Sequence, residues 1–110
     1  MAKDYQIGYL IDFYGNLLSE RQRDIISLYY EEDLSLSEIA ENIGITRQGV
    51  RDAVKKAEII LTEAEEKLGL AARFRVLSEK MNIIKDKLSS LDDEKGEIKP
   101  VIEMIDKLEI

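Results

Sequence analysis

Between Leu34 and Arg47 the chain carries two helix-start signals with one helix-stop signal between them, and no other feature of the sequence restricts the fold as much. Ser35 and Glu38 form a capping box, in which the serine side chain accepts from the backbone N–H three residues on and the glutamate reaches back. Leu34 before the cap and Ile39 after it can form a hydrophobic staple. The helix they start is short, because Gly44 stands where a left-handed C-terminal cap is wanted, and glycine adopts that conformation at little cost. Thr46 then caps a second helix. The product is a helix-turn-helix. Ala40 is small where its two helices cross, Gly44 makes the turn, and Val50 fills the contact between them.

The flanking segments read as helices too. Ser19 and Gln22 form another capping box ahead of the apolar stripe Ile25, Ile26, Leu28 and Tyr29, which predicts a helix from about residue 20 to 32. Upstream, Tyr5, Ile7, Leu10, Ile11, Tyr14, Leu17 and Leu18 recur mostly at three- and four-residue spacing, and Gly15 and Asn16 are expected to end that helix. Four of the seven aromatics (Tyr5, Tyr9, Phe13 and Tyr14) fall there. Such a stripe can stack bases, but at helical spacing core or interface is the expected role. The acidic run Glu31, Glu32 and Asp33 is expected to face solvent, since no oxygen-ligand loop follows it.

The helix from Arg47 carries Val50, Val54, Ala57, Leu61, Ala64 and Leu68 in a heptad seam that ends at Gly69. From 47 to 68 it is about 33 Å long, more than a recognition helix needs, so its second half must pack on something else. A new seam runs through Phe74, Leu77, Met81, Ile84, Leu88 and Leu91, and a third through Ile98, Val101, Ile105 and Leu108 with Ile102 beside it. Leu91 to Gly96 reads as a turn, and Pro100 is tolerable only in a first helical turn. One proline and six glycines, without regular alternation, argue against an all-β protein. The fold class expected is all-α, with a helix-turn-helix segment over 1–69 and a helical hairpin over 70–110 that serves packing or oligomerisation. Phe74, Leu77, Met81, Ile84 and Leu88 are the expected interface of a homodimer, because the stripe exceeds what one small domain covers.

Among 110 residues there is no Cys and no His, which removes thiolate nucleophiles, the usual zinc ligands, disulfides and imidazole bases. An enzyme is therefore not expected, nor a metal, a cofactor or a small-molecule substrate. An enzyme using carboxylates alone would have to draw on Asp92, Asp93 and Glu94, which are poor candidates in an exposed turn. Asp4 and Asp12 interrupt the first fifteen residues, so no secretory signal is expected. No apolar run approaches the ~20 residues of a membrane span, and the cytoplasm is the expected location.

The net charge is −7, but it is unevenly spread: residues 1–43 carry −6, 44–56 carry +3, 57–70 carry −3 and 71–110 carry −1. The one basic island coincides with the second helix of the helix-turn-helix, the element that enters the DNA major groove in such proteins. At ~100° per residue Arg47, Gln48, Arg51, Asp52 and Lys55 lie opposite the packing face of Val50, Val54 and Ala57. Arg and Gln can bond base edges and Lys can neutralise phosphate, which makes these five the candidate base contacts. Arg21, Ser37, Thr46 and Lys56 are the candidate phosphate contacts. Gly49 would allow close backbone approach. The competing reading is a solvated helix face in a charge-rich protein. A −7 chain with about three usable cations would bind DNA weakly as a monomer, and dimerisation would double the contacts.

The stretch LLSERQRDIISLYYEEDLSLSEIAENIGITRQGVRDAVKKAEIIL, Leu17 to Leu61, resembles the fourth conserved region of bacterial sigma factors, which recognises the promoter's upstream hexamer. That resemblance implies base contacts at Arg47, Gln48 and Asp52 and phosphate contacts at Arg21, Thr46 and Arg51. Asp52 departs from the Gln expected there, which puts the family's sequence preference in question for this chain. A chain of this length is not expected to hold the promoter-melting region as well.

Over nearly its full length the chain also resembles the YlxM family of small helix-turn-helix proteins, through its aromatic first helix, the core SEIAENIGITRQGVRDAVKKAE and the Phe74 helix. These are encoded beside the signal recognition particle GTPase, which implies a part in, or regulation of, that targeting pathway. Two functions are therefore expected in competition: a DNA-binding regulatory protein, or an accessory protein that contacts the particle's RNA or its GTPase without binding DNA.

Overall fold

The computed structural model describes residues 3–108; the outer ends of the two predicted segments, residues 1, 2, 109 and 110, lie outside them. Six α-helices account for most of the described chain: α1 Tyr5–Tyr14, α2 Glu20–Tyr30, α3 Leu36–Ile43, α4 Arg47–Leu68, α5 Leu70–Ser89 and α6 Ile98–Asp106. A 3₁₀ turn, Gly15–Leu17, links α1 to α2, and no strand occurs among the described residues. The all-α fold with a helix-turn-helix is the one expected. The chain falls into two compact units, one ending at Leu70 and one starting at Ala71.

In the first unit the caps operate as the sequence predicts. Ser19 Oγ accepts from Gln22 N at 3.2 Å while Gln22 Oε1 accepts from Ser19 N at 3.0 Å. Ser35 and Glu38 repeat that exchange at 3.1 Å in both directions. Gly44 closes α3 at φ 80°, its N–H donating to the Ala40 carbonyl over 2.9 Å, and the Ile45 N–H shares that acceptor at 3.2 Å. α2 stops at Tyr30 rather than near residue 32. There the N–H groups of Glu31 and Glu32 both fold back on the Ser27 carbonyl, and Asp33 takes φ 55°. The acidic run is exposed as expected, and Asp33 also pairs with Lys3 at 2.5 Å, whose Nζ lies 4.5 Å from the Tyr29 ring centre.

Ile25, Tyr29, Leu36, Ile39, Ala40, Val50 and Val54 form one buried cluster that joins α2, α3 and α4. α1 contributes Leu10, Ile11 and Tyr14, and α4 continues the core through Ala57, Leu61 and Ala64. α4 packs against α1, α2 and α3 in turn, which is what its extra length serves. Full burial of a side chain such as Leu61 stabilises the unit by about 1.5–3 kcal/mol. The seam is covered only as far as Ala64, since Leu68 is 51% exposed. Of the α1 aromatics, Tyr14 is core at 2% exposure, and Tyr9 and Phe13 meet edge to face at 5.1 Å. Tyr5 stays exposed.

In the second unit Ala71 is the one buried residue among those described. Asp93, in the polar connection, caps α6: its carboxylate accepts from the N–H groups of Ile98 at 3.0 Å and Lys99 at 3.2 Å. Pro100 is the third residue of that helix, within the first turn, where a missing N–H costs nothing. Lys85 of α5 is ion-paired with Asp106 of α6. The seam predicted as a single stripe divides by row. Phe74, Met81 and Leu88 are half-buried, whereas Leu77, Ile84 and Leu91 remain exposed, with Val76 and Ile83 beside them.

Candidate nucleic-acid interface

α4 starts where the α3 turn delivers it. Thr46 Oγ1 accepts from Gly49 N at 3.0 Å and fixes the first turn. A Cβ at position 49 would sit 3.1 Å from that oxygen, a close contact, although Gln22 and Glu38 carry a Cβ at the equivalent position of their caps. Val50, Val54 and Ala57 are fully enclosed on the inner face, which forces the residues between them outward. Arg47, Gln48, Arg51, Asp52, Lys55 and Lys56 are all exposed, on one helix and within three turns.

The electrostatics of this face are unbalanced. Among the described residues Arg47, Arg51, Lys55 and Lys56 have no ion-pair partner, although Asp52 is within helical reach of several of them. Asp52 Oδ1 instead accepts from Gln48 Nε2 at 3.0 Å. That bond escapes a reading of composition; its one signal in the sequence is the four-residue spacing of an amide and a carboxylate.

The candidate phosphate contacts lie on three elements. Thr46 is exposed at the α4 start, Lys56 on α4, Ser37 in the first turn of α3, and Arg21 in the first turn of α2. Arg21 lines a groove of about 400 Å³ between α2 and α3 with Asp24, Ser27, Leu28, Glu32, Asn42 and Ile43. Like the α4 cations, Arg21 has no ion-pair partner among the described residues, although Asp24 and Glu32 line the same groove.

Further along α4, Glu58 accepts from the Tyr30 hydroxyl at 2.5 Å, and the hydroxyl oxygen in turn accepts from Asp4 N at 3.3 Å. Burial, reinforced by Glu58, pushes the Tyr30 phenol well above the usual tyrosine range. Asp92, Asp93 and Glu94 line one exposed depression with Lys95 and Glu97, and no group of three residues that could hold a metal ion exists among the described residues. No helix among the described residues is long and apolar enough to cross a membrane.

Comparison with known proteins identifies the family of the chain. The family model described as "Putative helix-turn-helix protein, YlxM / p13 like" matches residues 1–101. A UPF0122 protein of Desulforamulus reducens is 45% identical over 112 residues, covering 94% of this chain and 96% of the relative. UPF0122 proteins of Bacillus cereus (strain AH187) and Bacillus anthracis (strain A0248) are each 41% identical over 109 residues, covering 99% of both chains. With its helix-turn-helix formed by α3 and α4, the chain belongs to the UPF0122 family of YlxM-like helix-turn-helix proteins.

Proposed function

We propose that this chain is a DNA-binding regulatory protein whose α4 enters the major groove, with no catalytic role and no cofactor. The observation that carries the reading is the row of unpaired cations on the exposed face of α4, the second helix of the helix-turn-helix. Arg47, Gln48, Arg51, Asp52 and Lys55 face base edges, while Arg21, Ser37, Thr46 and Lys56 touch phosphates. The resemblance to sigma region 4 supports the same docking.

The active species is a homodimer in the cytoplasm. Leu77 and Ile84 stand seven residues apart, as do Val76 and Ile83, and all four are exposed on α5, a repeat suited to a helix of a second copy. Two copies double the cations on the DNA, which compensates in part for a net charge of −7.

That net charge favours a second reading, in which the chain contacts the signal recognition particle RNA or its GTPase and leaves duplex DNA alone. A pull-down from lysate with and without nuclease separates the two. DNA fragments of common sequence support the first reading. Recovery of the particle's RNA, or of its GTPase after nuclease, with no enriched DNA, overturns it in favour of the second.

A further inference from the structure

We infer that Gln48 and Asp52 act as one base-reading unit selective for cytosine, in which Asp52 accepts from the cytosine amino group and Gln48 holds the carboxylate in position. This rests on the DNA reading above.

Asp52 is the one acid between residues 44 and 56, and it sits among four cations on a face proposed to meet a polyanion. An acid turned toward phosphate would oppose binding. In the groove it has a use, provided that it meets a donor. Its 3.0 Å bond to Gln48 leaves its charge in place, because a neutral amide donates without neutralising. Oδ2 remains available as an acceptor. A carboxylate can only accept, and the major-groove donors are the amino groups of cytosine and adenine. Guanine O6 and thymine O4 would face it lone pair to lone pair, so those bases are rejected as well as unselected.

Between the two amino bases, adenine places N7 beside its amino group, where a second carboxylate oxygen meets another acceptor. Cytosine carries only a C–H there. Its paired guanine offers O6 and N7, two acceptors suited to an arginine or lysine, and Arg51, Lys55 and Lys56 stand without ion-pair partners close to Asp52 in the helix. A C·G pair therefore satisfies both the acid and a neighbouring cation. Gln48 has committed one amide N–H to Asp52, so it is a positioning residue here, restricting the carboxylate to one rotamer.

The test is selection of bound duplexes from a random pool, followed by sequencing, with wild type, Asp52→Asn, Gln48→Ala and the double variant. Both substituted positions are exposed, and circular dichroism verifies that each variant folds. Wild type is expected to enrich a site with cytosine at one position. Asp52→Asn should lower that preference by about five-fold or more, and Gln48→Ala should lower it at the same position. The double variant should discriminate no worse than Asp52→Asn alone, because Gln48 acts through Asp52. Sequence-selective binding whose cytosine preference survives Asp52→Asn, or reduced preference at two separate positions in the double variant, overturns the inference and leaves the DNA reading standing. Absence of any duplex binding overturns the DNA reading and the inference with it.

Discussion

The hydroxyl of Tyr14, buried in α1, donates to Glu65 Oε1 on α4 over 2.6 Å, and the hydroxyl oxygen accepts from the N–H of Leu70 at 3.0 Å. Gly69, at φ 65°, lies between those two partners. One phenol thus ties the first helix to the end of the fourth and satisfies a backbone donor that has no helical partner.

Tyr14→Phe keeps the ring and removes both bonds. It is expected to destabilise the protein by about 1–3 kcal/mol, because it removes a hydrogen bond to a carboxylate together with the acceptor of the Leu70 N–H. Urea unfolding checks this, and hydrogen exchange at the Leu70 amide should accelerate. Unchanged stability would remove Tyr14 from this role.

The helix-turn-helix separates structural from functional residues. Ala40→Leu should cost roughly 1–3 kcal/mol by overpacking the cluster around Ile39 and Val50. Gly44→Val has open space around it, so its cost, about 1–2 kcal/mol, comes from the left-handed backbone alone. Arg51→Ala, on the exposed face, should melt near wild type. Thermal melts that place Arg51→Ala below Ala40→Leu would refute this division.

What is legible in the sequence is local. Ser35, Gly44 and Thr46 dictate caps through their own backbone preferences, so α3, the turn and the start of α4 follow from neighbours a few residues apart. Periodicity marks an apolar stripe but leaves open how far another element covers it. Leu68 continues the α4 seam by spacing yet is exposed, and Leu77 differs in burial from Phe74 on the same predicted stripe. Gly49 reads as clearance for DNA, whereas a Cβ there would also press on the Thr46 hydroxyl at 3.1 Å. The partner chosen by Asp52 is a matter of rotamer, with Gln48 and several cations all at helical spacing.

Alkaline pH should weaken the hold of Tyr30. Its phenol titrates higher in the folded chain than in the unfolded one, because burial and Glu58 disfavour the phenolate. The stability it contributes is therefore complete below about pH 10, the unfolded value, and declines as pH rises beyond that toward the folded value. Tyr30→Phe should be less stable than wild type by about 0.5–1.5 kcal/mol at pH 7. Urea melts across pH should show that gap narrowing above about pH 10. A gap that widens there would contradict the assignment.

The dimer is expected to depend on the exposed row of α5. Leu77→Glu with Ile84→Glu should yield monomers while circular dichroism remains helical, since neither side chain is buried. Sedimentation of wild type as a folded monomer at high micromolar concentration would exclude the dimer.

The most direct test of DNA binding through α4 is the salt dependence of duplex affinity, read by fluorescence anisotropy for wild type, Lys56→Ala and Arg21→Ala. Affinity should fall steeply between ~50 and ~200 mM salt, and each substitution should reduce the log–log slope by about one unit for every phosphate that the variant no longer neutralises. No binding by wild type at ~50 mM salt, or slopes that neither substitution alters, would contradict it.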